Sequence, residues 1–185
     1  KSHVWHYHPE IELIFVCGGS GKRQIGSNIS YFTEGDLILI GSNLPHCGMT
    51  NENTKNDYEI VIQFSQDFMG SEFWSAPEMS KILTMLEKAK SGIVFGEKVK
   101  RTLKTKMEAL SESSSLETLM KLIEILDSLA TTSDYKILNA GKYYLQTQKE
   151  DNDRINLIFN HVKDNFKNQI SLEEVSGLAT MTIPS

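Results

Sequence analysis

The chain of 185 residues is long enough for one domain with a sizeable core, or for such a domain with a small helical addition. The formal net charge is -5. Residues 1–96 have 7 basic and 11 acidic side chains, and residues 97–185 have 12 basic and 13 acidic ones, so neither half has the excess of basic residues expected of a nucleic-acid-binding surface. Two cysteines outside any C-x-x-C spacing argue against a disulfide scaffold or a cysteine zinc site. With no apolar run long enough to span a bilayer, we expect a cytoplasmic protein without membrane contact.

Two imidazoles and two carboxylates fall within seven residues near the start, in the run His-Tyr-His-Pro-Glu-Ile-Glu at 6–12. In an extended segment, side chains at even spacing share one face. That face would present His6, His8, Glu10 and Glu12. It continues into Ile14 and Val16, so the pattern predicts a polar cluster in the mouth or floor of a concave, otherwise apolar sheet.

Residues 1–65 have the pattern of short strands. Apolar or alternating runs cover residues 11–17, 22–26, 36–40 and 58–64, with glycine-containing turns at 18–21 and 34–35. Several short strands at regular spacing favour a β-sandwich or β-barrel.

After Phe64 the apolar period changes from two to nearly four, which predicts helices over residues 79–89, 99–110 and 116–130. The third helix is apolar over so much of its surface that it needs two partners. We expect it to pack on the barrel with one side and on another helix or a second subunit with the other. Burial within a single subunit is the alternative.

Residues 139–152 are polar and predict a linker. An amphipathic helix is predicted from Ile155 to Phe166, and Ser171 with Glu174 predicts a capping box that opens a short helix through Ala179. Because the chain begins without methionine and ends inside a motif, we expect it to be a fragment.

A metal site is the first interpretation of the polar cluster. His6, His8 and Glu12 share a face, and His46, on the loop after strand 36–40, is the candidate fourth ligand. Three imidazoles and one carboxylate suit Zn, Fe, Mn, Ni or Cu and are poor for Ca or Mg. The alternative is a metal-free pocket whose polar groups bind an effector. Glu10, after Pro9, is expected at the rim rather than as a ligand.

Other side chains have two interpretations each. Arg23 can pair with an anionic effector or can be an exposed strand arginine. Tyr31 can stack on an effector, as can other aromatic residues that are otherwise plain core. These are Trp5, Tyr7, Phe32 and Tyr58.

The spacing His6-x-His8-x-x-x-Glu12, with Gly19 after six further residues, resembles the first signature of the cupin superfamily. Gly35 and His46 match the second signature, whereas Gly41, Asn43 and Thr50 stand where proline, glycine and asparagine are usual. The resemblance implies a cupin barrel of the double-stranded β-helix, jelly-roll-like type, with His6, His8, Glu12 and His46 as metal ligands.

The flanking motifs narrow this resemblance. The run at 6–13, Gly-x-Gly-Lys-Arg-x-Ile-Gly at 19–26, the segment 35–46 and Phe73-Trp74 before Pro77-Glu78 resemble the sensor domain of AraC-type transcription regulators. The tail from Ser171 resembles the first helix of that family's first helix-turn-helix, with Thr182 at the start of a recognition helix. The resemblance implies a homodimer that senses a small molecule and binds operator DNA through a part beyond this chain.

Together these interpretations predict an α+β protein: a cupin-like barrel over residues 1–65, a helical layer with dimerisation helices over 66–138, a linker over 139–152 and the start of a DNA-binding domain over 153–185. We expect a ligand-responsive regulator, not an enzyme. The DNA-contacting residues are unknown. A metal-dependent cupin enzyme, an oxygenase or isomerase, is the alternative, but it has no need for the long helical second half.

Overall fold

The computed structural model describes residues 5–50 and 58–139, and, further on, residues 154, 157, 158, 161, 162 and 164–181. These residues form a mixed α+β fold, which confirms the predicted fold class at that level. None of the described helices is long and apolar enough to cross a membrane. Residues 140–152 of the predicted linker 139–152, and Thr182, lie outside the described residues.

All the paired strands are antiparallel and form two sheets. Their bounds are β1 Ile11–Val16, β2 Ser20–Ile25, β3 Asn28–Thr33, β4 Leu37–Ile40, β5 His46–Thr50, β6 Glu59–Phe64, β7 Ile93–Phe95 and β8 Tyr135–Ile137. The larger sheet has the order β6-β1-β4-β7-β8 and the smaller one β3-β2-β5. The short strands and turns predicted for residues 11–64 are therefore present.

Strands β7 and β8 extend the larger sheet from within the segment predicted as helical. Ile93–Phe95 is a short apolar run between Gly92 and Gly96, and it pairs with β4 on one side and with β8 on the other. Such a run cannot be told from part of a buried helix by periodicity alone. The segment 66–138 thus contributes to the sheet as well as to the helical layer.

The helices are α1 Ser71–Trp74, α2 Ser80–Ala89, α3 Glu97–Glu108, α4 Ser115–Thr131 and α5 Leu172–Ala179. The first two predicted stripes are largely buried, with Leu86 and Leu103 almost inaccessible to solvent. The third is buried only in part, because Leu116 and Met120 near the start of α4 are exposed while Ile125 is fully buried. Helix α4 begins at a complete capping box of Ser114 and Glu117.

Ser171 is the N-cap of α5, and its hydroxyl accepts a hydrogen bond from the Glu174 amide at 3.1 Å, which is the Ser171 half of the predicted capping box. The carboxylate of Glu174 lies 2.9 Å from Nε2 of His161. Glu174 therefore donates to the Ser171 cap through its amide and contacts His161 through its carboxylate; His161 is one of the described helical residues in the range 155–166 where a helix was predicted.

The two faces of the larger sheet are covered differently because successive strand residues point to opposite sides. Leu13, Phe15 and Leu39 are buried on the face that joins the main core with the helices. Ile38 and Ile40 on the other face pack with Ile25 of the smaller sheet in a second core cluster. The larger sheet thus lies between the helices and the smaller sheet.

Candidate functional site

The polar cluster forms where the chain before β1 meets the loop that enters β5. His6 and His46 make an isolated antiparallel bridge, with N···O distances of 3.1 and 2.9 Å. The Asn43 amide donates to the His8 carbonyl at 2.8 Å. Strand β1 itself begins only at Ile11. The histidines therefore converge through pairing with residues 43–46 rather than along one continuous strand.

The three imidazoles lie close together. Ring centroids are 4.4 Å apart for His6 and His46, 5.2 Å for His8 and His46, and 5.6 Å for His6 and His8. One nitrogen from each ring can be chosen so that all three lie within 4.8 Å of one another. The structure brings together the three histidines that the sequence pattern predicted as ligands.

His46 is held with one nitrogen turned into this cluster. Its Nδ1 donates to the Leu44 carbonyl at 2.8 Å, because a carbonyl can only accept. Its Nε2 lies 3.1 Å from Oε2 of Glu12 and has no partner with hydrogen-bond geometry among the described groups. Because Nδ1 holds the ring in place, Nε2 points into the cluster, where it can donate to Glu12 when it is protonated or bind a ligand when it is not, as in metal-binding histidines.

Glu12, on strand β1, contacts two of the three histidines, His8 and His46. Its side chain is almost fully buried, with Oε1 3.7 Å from His8 Nε2. Burial raises the pKa of Glu12, but its contacts with His46, Gln63 and His8 outweigh burial and hold that pKa below the ordinary value. The carboxylate is therefore ionised at neutral pH and supplies the one negative charge beside three imidazoles.

Gln63 is a member of the site that the sequence pattern did not single out. Its Nε2 donates to Glu12 Oε1 at 2.7 Å and lies 3.4 Å from His8 Nε2. It faces Glu12 directly in the β1–β6 register. In β6, Ile60 and Phe64 face the helices, and residues at odd positions face the other side of the sheet. Gln63 is at an odd position, and this alternation is the sequence signal that could have predicted it as a member of the site.

Glu10 lies at the rim, with a side chain that is nearly half exposed and Oε2 3.4 Å from His8 Nδ1. This nitrogen also approaches the Glu10 carbonyl, at 3.1 Å. Glu10 thus contacts His8 on the side of the ring away from Glu12.

The structure does not bring Arg23 or Tyr31 to the histidines by any described contact. Arg23 is buried, and its NH1 donates to Asp36 Oδ2 at 2.8 Å while Nε donates to Ser30 at 3.1 Å. Asp36 also accepts from Lys100 at 2.7 Å. Arg23 is therefore neutralised within the protein rather than exposed on its strand.

Tyr31 is 72% exposed, with its ring 5.6 Å from Nζ of Lys22 on the outer side of the smaller sheet. Of the other aromatic residues, Phe32 is buried and Tyr58 is exposed. Trp5 and Tyr7 are half-buried on the segment that contains His6.

The chemistry of the imidazole and carboxylate groups indicates which metal ions the cluster could bind. Three imidazoles and one carboxylate are the nitrogen and oxygen ligands that Zn, Fe, Mn and Ni accept. The buried Nε2 of His46 has no hydrogen-bond partner among the described residues, so it is available to coordinate such an ion. His6, His8 and His46 therefore fit a divalent transition metal, and Glu12 contacts two of these three histidines, His8 and His46.

No protein-family model matches the chain, and no curated protein matches it. Among solved structures, the AraC-like transcriptional activator CuxR aligns over 95% of this chain and 58% of its own, with 9% identity and a TM-score of 0.48. ToxT from Vibrio cholerae aligns over 98% of this chain and 67% of its own, with 13% identity and a TM-score of 0.44.

A second structure of ToxT, bound to (E)-4-(8-methylnaphthalen-1-yl)but-3-enoic acid, has 12% identity and a TM-score of 0.42, over 98% of this chain and 67% of that one. The chain thus spans about three fifths of CuxR and two thirds of ToxT.

Proposed function

We propose that this chain is the sensing part of an AraC-type, ligand-responsive transcription regulator that binds its effector between two facing sheets. The observation on which the proposal rests is the cluster of His6, His8, Glu12 and His46, in which Glu12 and His46 are buried and the two other histidines are partly exposed. Convergent polar groups in an otherwise apolar space are typical of small-molecule sites. In this proposal the strands around the cluster form a cupin-like double layer.

The contacts between the sheets support a cupin-like arrangement. Ile25 of the smaller sheet shares a core cluster with Ile38 and Ile40 of the larger sheet. Glu12 and His46 come one from each sheet and approach to 3.1 Å. An effector held by this pair would contact both layers, so its binding would depend on their relative position.

A divalent transition metal, Zn, Ni, Fe or Mn, is one form that the bound group can take. His6, His8, Glu12 and His46 would hold it, and the ion would supply a positive charge to which an anionic or hydroxylated effector can bind. The other form is a metal-free pocket in which the same polar atoms bind the effector directly.

We also propose that the regulator is a homodimer that uses the outer face of α4. Leu116 is 67% exposed and Met120 is 57% exposed, one turn apart, while Leu122 and Leu126 are buried against the core. A second copy of α4 would cover this exposed face. Operator DNA would be bound by the part of the longer protein that follows α5.

A cupin enzyme is the second candidate, and the donor set itself favours it. Three histidines and a carboxylate can hold a reactive metal for an oxygenase or isomerase. Turnover of oxygenase and isomerase substrates by the metal-loaded chain would favour the enzyme, and binding without turnover would favour the sensor.

Ligand binding is tested by thermal unfolding of the chain with a panel of divalent ions, sugars, carboxylates and aromatic compounds. We expect at least one of them to raise the Tm of the wild type, because a ligand that binds only the folded state stabilises it. The rise should disappear in His8→Ala and persist in His161→Ala. A panel without any stabilising compound, or equal rises in both variants, would contradict a ligand site at the cluster.

A further inference from the structure

Asn139 is the first residue of the predicted polar linker, yet it is only 4% exposed. Its Oδ1 accepts from the Ser27 amide at 2.9 Å and from the Ser27 hydroxyl at 3.1 Å. Its Nδ2 donates to the carbonyls of Ile25 at 3.1 Å and Ser91 at 3.0 Å. Because an amide N–H only donates and a carbonyl only accepts, these partners fix which way the side-chain amide points.

Close packing around this amide restricts the turn between β2 and β3. Gly26 has a φ of +56°, and a Cβ added there would lie 2.7 Å from Asn139 Oδ1. Only glycine combines that backbone conformation with so close an approach. The turn at Gly26 and Ser27 is therefore fitted to the side chain of Asn139.

The same turn supports the His46 side of the cluster. The Gly26 amide donates to the Pro45 carbonyl at 2.7 Å, and Ile25 is the register partner of His46 in the β2–β5 ladder. His46 in turn pairs with His6 through both backbone hydrogen bonds of their bridge. A continuous set of hydrogen bonds thus runs from Asn139 through residues 25–27 to Pro45 and His46.

We propose that Asn139 is a positioning residue for the histidine cluster, holding the β2–β3 turn on which the Pro45–His46 segment is aligned. Asn139 does not touch the cluster and acts through Ile25 and Gly26. Its backbone amide also donates to the Ser91 carbonyl at 3.1 Å, which fixes the point where the chain leaves β8. If the proposed function holds, one side chain sets both the geometry of the sensing site and the start of the path toward the DNA-binding part.

The test compares variants of the 185-residue chain without any added ligand. Asn139→Asp keeps the shape and an accepting oxygen but replaces both N–H donors, and Asn139→Ala removes all four side-chain hydrogen bonds. Ser27→Ala removes only the hydrogen bond from the Ser27 hydroxyl to Asn139. Because this change is the smallest, the variant should fold even if the two Asn139 variants do not. Leu103→Ala, in the helical core, is the control for loss of stability alone.

The measurements are histidine-ring NMR spectra, assigned with single histidine variants, and amide hydrogen exchange. We expect the His46 ring signals to shift in both Asn139 variants, with exchange of the Gly26 and His46 amides at least about tenfold faster, since opening there becomes easier. Ser27→Ala should give a smaller change in the same direction. Leu103→Ala should leave the His46 ring signals at their wild-type positions.

Unchanged His46 signals in the Asn139 variants that fold, or in Ser27→Ala if neither folds, would overturn the proposal. Equal shifts in Leu103→Ala would also overturn it, because they would show a general effect of lost stability. The comparison uses neither effector nor DNA, so its failure would leave the proposed regulator function standing. Failure of that function would likewise leave the positioning role of Asn139 standing.

Discussion

Nε2 of His46 lies 3.1 Å from Oε2 of Glu12. The contact joins the first residue of β5, in the smaller sheet, to a residue of β1, in the larger sheet. Both side chains are almost completely buried. A buried carboxylate is costly unless it is paired or hydrogen-bonded, and here His46 and Gln63 provide its contacts. The site therefore depends on the two sheets keeping their relative position.

Metal binding at the cluster predicts about one Zn²⁺ or Ni²⁺ per chain after equilibrium dialysis of chelator-treated, tag-free protein. His46→Ala should weaken binding by roughly a hundredfold or more, because it removes the ligand whose orientation is fixed by Leu44. His161→Ala, outside the cluster, should bind like the wild type. Elemental analysis that finds no ion in the wild type, or equal occupancy in His46→Ala, would favour the metal-free pocket.

The ion cluster of Arg23, Asp36 and Lys100 predicts unequal effects of its members on stability. Asp36→Asn leaves the buried Arg23 without its carboxylate and should lower the free energy of unfolding by about 3 kcal/mol. Lys100→Met leaves Asp36 paired with Arg23 and should cost about 1–2 kcal/mol. Urea unfolding measures both values. Equal losses would contradict the central role of Asp36.

The pKa of Lys100 determines how its contribution to the free energy of unfolding depends on pH. Burial lowers the pKa of Lys100, but its hydrogen bonds with Asp36 and Glu97 outweigh burial and raise it above the ordinary 10.5. A raised pKa in the folded state gives stability that is fully present below 10.5 and is lost as the pH rises through the folded-state value. The stability difference between wild type and Lys100→Met should therefore be constant from neutral pH to about pH 9. A difference that shrinks between pH 6 and 8 would contradict this assignment.

Asn43 predicts a conformational effect beside the cluster. Its φ of 57° is left-handed, a region that asparagine tolerates better than alanine, and its amide donates to His8. Asn43→Ala should lower the free energy of unfolding by about 1–2 kcal/mol, and Asn43→Gly should change it by less than about 0.5 kcal/mol. Similar losses in the two variants would show that the asparagine side chain, not the backbone angle, stabilises this turn.

Alternation and helical periodicity predicted strands β1, β2, β4 and β6, the turns at 18–21 and 34–35 and most of the buried helical positions, because each depends on residues close in sequence. The same reasoning predicted His46 as a partner of His6 and His8, since a histidine on a loop leaving a strand can reach a neighbouring strand. The convergence itself arises from pairing between residues 6–8 and 43–46. Sequence spacing alone does not specify that pairing.

Other features depend on partners far away in the chain. From the sequence, Asn139 looks like a polar linker residue. In the structure its side-chain oxygen accepts a hydrogen bond from Ser27, which lies 112 positions earlier. Arg23 is buried because Asp36 and Lys100 complete its charge network. Tyr31 points outward because of its place in β3, a strand that was not predicted for residues 28–33.

The central claim is that this chain senses on behalf of a DNA-binding regulator, and selection of random DNA duplexes by the longer native protein tests it most directly. We predict enrichment of a defined sequence, bound more weakly as salt rises because phosphate contacts release counterions. Residues 1–185 alone should enrich none. Failure of the longer protein to select any sequence, or tight sequence-specific binding by residues 1–185 alone, would contradict the claim.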